Sequence, residues 1–366
     1  MTIEFDEERW EKVKQTHRAW WNGELERPLY HAVLTGAPSD REPSTERYHD
    51  YAAFYDLATP VEKIVDAWDY NLSTQRWLGD AFPNIWLNFG PGVIAAFLGA
   101  KLESHIEGNT VWFHPREHLN IGDIHFEYDA ENVWLKRIRS LAAAAHERWN
   151  GMVQVGMTDL GGNLDILSIF RPGERLLLDF CQNPEEVKRL TWELHELWMC
   201  YFEKINDMLQ PLNPGYSCWT PLFCEEPWYM LQCDLCYMIS PAMFDEFAKP
   251  ELAKSCDRFP RSLYHLDGKG QLAHLDSLLA IKSLGGVQWV YGTGQPDGGH
   301  WSDVYRKILD AGKNLQLLGE TNGRNEPEDV LADRREQWGR VFRVIYGDWN
   351  ADAKQFEALL KHYRVV

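Results

Sequence analysis

The pattern of apolar and polar positions is most informative between residues 261 and 294. Residues 261–266 (RSLYHL) alternate and carry apolar and aromatic side chains, which is typical of a buried strand. A glycine-rich loop, DGKG, follows, and leucines at positions 272, 275, 278 and 279 then recur at helical spacing. Residues 287–291 (VQWVY) predict a second apolar strand. The stretch is therefore predicted to be a strand–helix–strand unit, whose crossover requires the two strands to run parallel.

Similar patterns recur along the whole chain. An amphipathic helix is predicted over residues 7–21 and a decorating β-hairpin over residues 101–114, whereas residues 225–238 give no clear pattern. About eight strands, each followed by a helix, are predicted to begin near residues 29, 85, 152, 216, 262, 287, 315 and 341. Eight such units without a linker predict one α/β domain over residues 1–366, a (β/α)8 TIM barrel with an N-terminal helical extension and a small hairpin insertion.

Composition narrows the classes of partner. The net charge of −18 disfavours nucleic acids and anionic membranes as partners, because their phosphates would be repelled. The longest strongly apolar run, residues 93–98, is too short to span a bilayer. Seven scattered cysteines in a long chain predict reduced thiols and a cytoplasmic location.

Polar residues follow several of the predicted strands. His265, Asp267 and Lys269 lie at the end of one strand, and Asp159 ends another, ahead of Gly161-Gly162. Asp234 lies between Cys233 and Cys236. No metal or redox function is predicted for these two cysteines, because the chain has no second CxxC and residues i and i+3 of a strand face opposite ways. In a barrel, the carboxyl ends of the strands surround one mouth, where ligands bind. These groups are predicted to lie roughly within 15 Å of each other there.

Tryptophans are expected to wall that mouth. The chain has 17 Trp and 15 Tyr residues, an unusual number for its length, and Trp219 and Trp289 are predicted to contact the substrate. Lys269, which follows a predicted strand, is also predicted to contact the substrate.

Several motifs together resemble the uroporphyrinogen decarboxylase-like family. They are LGDAFPNIWLNFGPG, MTDLGGNLDIL, CDLCYMISPAMFDEFAKPEL, YHLDGKGQLAHLDSLLAI and VQWVYGTG. This superfamily also contains cobalamin-independent methionine synthase and the corrinoid- and coenzyme M-linked methyltransferases, and its fold is a (β/α)8 barrel. Porphyrin decarboxylation itself is disfavoured, because the family's arginine-rich N-terminal motif is missing after Arg27-Pro28.

The resemblance to the methyltransferases implies a divalent metal, zinc in that branch. By position, His265 matches the family's zinc-binding histidine, Asp267 takes the place of the first cysteine, and the later cysteine falls near Glu320. His, Asp and Glu bind Zn²⁺ and other divalent ions. The predicted metal ligands are thus His265, Asp267 and Glu320, and the predicted catalytic residues are Asp159, Asp234 and His265.

Three functions remain open from the sequence. The first is a metal-assisted methyltransferase for a small methylated substrate, with a corrinoid on a partner protein as methyl acceptor. The second is a metal-free lyase that decarboxylates a smaller carboxylic acid, with Asp159 or Asp234 as the charged group. The third is a barrel that binds a ligand or a partner protein without turning it over. The oligomeric state is also open, and a homodimer is one alternative.

Overall fold

The computed structural model describes residue 3, residues 5–318 and residues 325–366. The fold is a mixed α/β architecture around a mainly parallel sheet. The strands in this part of the chain are β1 (Leu29–Thr35), β2 (Arg76–Gly79), β3 (Asn84–Trp86), β4 (Lys101–His105), β5 (Thr110–His114), β6 (Gln154–Gly156), β7 (Trp228–Gln232), β8 (Arg261–Asp267), β9 (Gly286–Val290), β10 (Asn314–Leu317) and β11 (Val341–Asp348).

Helices flank the strands. The α-helices are α1 (Glu7–Trp21), α2 (Val61–Ser73), α3 (Ile94–Phe97), α4 (Val133–Trp149), α5 (Asn163–Phe170), α6 (Glu174–Gln182), α7 (Pro184–Leu209), α8 (Pro241–Met243), α9 (Lys249–Arg258), α10 (Leu275–Leu279), α11 (Ser302–Asp310), α12 (Pro327–Val330) and α13 (Ala353–His362). A π-helical segment (Phe244–Ala248) joins α8 to α9. Short 3-10 helices cover Ala52–Phe54, Ile121–Asp123, Gln210–Leu212, Asp234–Met238, Lys269–His274, Gly298–His300 and Ala332–Arg340.

The central sheet has seven strands in the order β2-β1-β11-β10-β9-β8-β7. All pairs are parallel except β1 with β2. Strands β3 and β6 form a separate parallel pair, and β4 and β5 form the antiparallel hairpin predicted over residues 101–114. Among the described residues the ladder from β2 to β7 does not close on itself, so the α/β class is confirmed while a closed eight-stranded barrel is not seen.

The fourth strand lies later in the chain than predicted. The prediction near residue 216 is wrong, because there the structure has only an isolated antiparallel bridge between Tyr216 and Cys224. The strand is β7, whose five residues are all buried. A strand buried on both faces lacks the alternation that reveals half-buried strands, which is why the sequence pattern missed it.

Strand β1 shows how the sheet separates two apolar layers. Tyr30, Ala32 and Leu34 pack in one cluster with α13, whereas Leu29 and Val33 belong to the main core on the other face. His31 alternates with the first set and therefore shares the main-core face, where its ring lies 5.2 Å from that of Phe82. None of the described helices is long and apolar enough to cross a membrane.

His31 should make stability depend on pH. It is 1% exposed, and neither ring nitrogen has a hydrogen-bond partner among the described residues. Burial lowers its pKa from 6.5 to about 3, with a smaller contribution from His17. A histidine whose pKa is depressed on folding contributes stability above the unfolded pKa, and this contribution is lost as the pH falls below 6.5.

We therefore expect His31→Leu to gain stability relative to the wild type as the solution is acidified. The gain between pH 7.5 and pH 5 should be roughly 2 kcal/mol, since each pH unit below the unfolded pKa costs about 1.4 kcal/mol. Urea unfolding at both pH values measures it. A difference between variant and wild type that does not change with pH would contradict the prediction.

Candidate functional site

Four polar side chains lie side by side on one face of the central sheet. Strand pairing aligns Gln232 of β7 with His265 of β8, His265 with Gln288 of β9, and Gln288 with Gln316 of β10. The Gln316 amide is hydrogen-bonded to the Thr220 hydroxyl at 2.8 Å. His265 is therefore one member of a polar layer that continues across four strands. Gln232 and Gln316 were not found from the sequence, because alternation along a single strand does not show which residues become neighbours across strands.

Neighbouring groups orient His265. Its Nδ1 makes a short hydrogen bond with Gln288 Oε1, and the Trp219 ring meets the imidazole edge-on with centroids 5.1 Å apart. A proton on Nδ1, donated to the Gln288 carbonyl, leaves the lone pair of Nε2 available for a ligand. Contacts of this kind hold metal-binding histidines in one tautomer and one orientation.

Three side chains converge where β7 and β8 end. Asp234, His265 and Asp267 each offer a ligand atom, and these atoms all lie within 4.8 Å of one another. His265 and Asp267 share a face of β8, as expected from their spacing of two residues. Asp234 begins the 3-10 helix that follows β7. We call this group the carboxylate–histidine triad.

The carboxylate of Asp165 on α5 holds Asp234 in place. It accepts hydrogen bonds from the backbone N–H groups of Asp234 at 3.0 Å and Leu235 at 2.7 Å, so it caps the 3-10 helix. Burial and the charge of Asp234 raise the pKa of Asp165 to about 7. The Asp234 side chain is partly accessible to solvent, but its carboxylate is surrounded by protein. This burial, together with the negative charge of Asp267, raises the pKa of Asp234 to about 7.

Asp159 lies near the triad, since its charge acts on Asp234. It follows β6, is 8% exposed, and accepts a hydrogen bond from the backbone N–H of Gly161 at 2.9 Å. Burial raises its pKa to about 6, while this hydrogen bond and the nearby His265 act in the opposite direction. Gly161 has φ of +78°, and a Cβ atom there would lie 2.5 Å from Gly92, so the turn that positions Asp159 requires glycine.

The other predicted site residues lie in different surroundings. Lys269 is exposed and lines, with Asp234 and Asp267, a polar recess of about 310 Å³. Trp289 is 1% exposed and packs against Trp301, with ring centroids 5.2 Å apart. It alternates with Gln288 and so faces away from His265. Glu320 lies outside the described residues, so its predicted part in metal binding stays a prediction.

The two thiols of the CxxC pair are close together, contrary to the expectation from strand geometry. Cys233 and Cys236 Sγ atoms lie 2.9 Å apart and both residues are buried. The strand ends before Cys233 and the chain turns into a 3-10 helix, in which residues three apart eclipse each other.

The donor set of the triad is suitable for a divalent cation. One imidazole and two carboxylates are ligands that Zn²⁺ and harder divalent ions accept. A bound cation would offset the repulsion between Asp234 and Asp267, which adds to the effect of burial in raising the pKa of Asp234. No protein-family model matches the chain, and no curated protein is significantly similar to it in sequence.

Proposed function

We propose that this protein is a metal-assisted methyltransferase for a small methylated substrate, built on an opened (β/α)8 barrel. The observation that supports it is the carboxylate–histidine triad, with three ligand atoms within 4.8 Å of one another. Asp234, His265 and Asp267 would hold the metal, which when bound polarises the substrate as a Lewis acid. The resemblance to the corrinoid-linked methyltransferases suggests the reaction and a corrinoid as methyl acceptor.

The chain's own groups complete the proposed site. Gln288 fixes the orientation of His265, and Asp165 fixes that of Asp234 through the backbone. Asp159, with its pKa near 6, is able to exchange a proton with the substrate close to neutral pH. The polar recess that contains Lys269 gives solvent and substrate access to the triad.

Metal analysis tests this proposal. Protein purified without chelator should contain about one equivalent of a divalent metal per chain, as a single site of this kind binds. Asp267→Asn, which keeps the shape of the side chain and removes its charge, should lose most of it. Asp276→Asn is the matched control, because Asp276 is exposed and paired only with Lys307 among the described residues. Less than about a tenth of an equivalent in the wild type would refute the metal site.

A second function is favoured by the buried carboxylates. Asp159, with a pKa of about 6, and Asp234, with a pKa of about 7, suit metal-free acid–base catalysis such as decarboxylation of a small acid. In that case, activity should survive removal of metal by EDTA and should be abolished by Asp159→Asn. Loss of activity in EDTA, with recovery on adding Zn²⁺, would instead support the metal-assisted reaction.

A further inference from the structure

An apolar chamber of about 430 Å³ adjoins the triad. This volume lies in the range of roughly 300–1,000 Å³ typical of small-molecule sites. Its walls come from the β4–β5 hairpin, from α5 and from the 3-10 helix after β7, and are mainly apolar: Val111, Trp112, Phe113, Ile166, Ile169 and Met238. Asp234 lines both this chamber and the polar recess, so the triad lies where the two meet.

Hydrogen-bond acceptors line the part of the chamber nearest the triad. Gln232 is 5% exposed, and its Oε1 is buried without a hydrogen-bond partner among the described residues, so a half-turn of the amide would present this acceptor to an occupant. The Asp165 oxygens each accept one backbone N–H and retain a second acceptor position. Among the described residues that line the chamber there is no Lys, Arg or His, so no positively charged side chain in its walls neutralises Asp165. An occupant should therefore bring donors and positive charge to this end.

We propose that the chamber binds an organic ammonium ion with an apolar body. The ammonium N–H groups donate to the Asp165 carboxylate and, after a half-turn of the Gln232 amide, to Gln232 Oε1, while the body packs against Trp112, Phe113 and the other apolar walls. If the ammonium ion is the substrate, the proposal rests on the proposed methyltransferase function, because it then names the class of compound that the enzyme demethylates. The binding itself requires neither the metal nor turnover, because Asp165 and Gln232 are outside the triad.

Calorimetry at pH 8.5 on EDTA-treated full-length protein tests the chamber. The probes are 2-phenylethylammonium, the neutral 2-phenylethanol and the anionic 3-phenylpropanoate, which share the apolar body and differ in the charge of the head. We expect the ammonium to bind at least about tenfold tighter than the alcohol, because hydrogen bonds to a charged group are the stronger kind. The carboxylate should give no measurable binding. Equal affinities for ammonium and alcohol, or no binding of the ammonium, would overturn the proposal.

Two variants locate the binding. Gln232→Leu should weaken the ammonium about tenfold, because it removes the buried acceptor. Trp112→Ala should weaken the ammonium and the alcohol alike, because it removes apolar wall. Trp112 is 59% exposed, so its loss should not disturb folding, and Trp192→Ala on α7, 42% exposed and outside the chamber lining, is the matched control. Unchanged affinity in both chamber variants would contradict the assignment.

The outcomes separate this inference from the proposed function. If the ammonium binds but the purified protein contains no divalent metal, the proposed ligand of the chamber is supported and the metal-assisted reaction is rejected. If the purified protein contains one divalent metal per chain but does not bind the ammonium, the triad is supported as the metal site and the proposed ligand of the chamber is rejected.

Discussion

Replacement of His265 by alanine is expected to reduce zinc affinity by more than a hundredfold. The substitution removes the only nitrogen ligand of the triad and leaves two carboxylates that repel each other. Gln288→Leu should have a smaller effect, about ten- to hundredfold, as is usual for a residue that only orients a metal-binding histidine. Competition titration of metal-free protein against a chromophoric chelator measures both.

The test is the order of the two losses in zinc affinity, which should be larger for His265→Ala than for Gln288→Leu. His118→Ala provides the control, because His118 is exposed on the surface and lies outside the triad. If His265→Ala binds zinc as tightly as the wild type, the zinc measured is bound elsewhere and the triad is not its site. If Gln288→Leu has no effect while His265→Ala does, the triad stands and the orienting function of Gln288 is rejected.

Removal of Glu326 is expected to destabilise the fold strongly. Glu326 is 8% exposed, accepts a hydrogen bond from the Tyr30 hydroxyl at 2.6 Å and pairs with Arg343, which is fully buried, at 2.5 Å. In Glu326→Ala the Arg343 guanidinium would keep its hydrogen bond to the Leu317 carbonyl but lose this compensating carboxylate. Breaking a buried pair from one side costs about 3–5 kcal/mol.

An exposed pair of similar geometry provides the control. Arg18 and Glu225 make two hydrogen bonds of 2.6 and 2.7 Å, but their side chains are 52% and 37% exposed. Glu225→Ala should therefore cost about 0–1 kcal/mol, because solvent screens the pair and replaces it when it breaks. Urea unfolding of both variants at pH 7.5 gives the comparison. Equal losses for the two variants would mean that burial does not govern the energy of the Glu326 pair.

Part of the candidate site follows from local sequence. A strand ending in His-Leu-Asp places His265 and Asp267 on one face, and the following DGKG loop ends the strand, both as observed. Asp159, ahead of two glycines, was likewise predicted to end a strand, and it lies just beyond β6. These features depend on backbone periodicity and turn chemistry within a few residues, which the sequence contains directly.

Other predicted features depended on information that no single segment contains. Trp289 looked equivalent to Trp219 in the sequence, yet it packs against Trp301 while Trp219 packs against His265. The predicted strand near residue 216 and the observed β7 are both apolar, and the pairing of β7 with β8 selected the later one. Pairing between strands is a long-range property, so apolar character alone could not decide between them.

The sequence by itself determined the α/β class, the β4–β5 hairpin, and the shared face of His265 and Asp267, because these follow from periodicities of two and 3.6 residues. Only the tertiary structure decided that Asp234, rather than another acidic residue, joins them, since Asp234 is brought there by the end of β7 and by the cap from Asp165 on α5. It also decided the polar layer across β7 to β10, since register between strands is set by packing of the whole sheet.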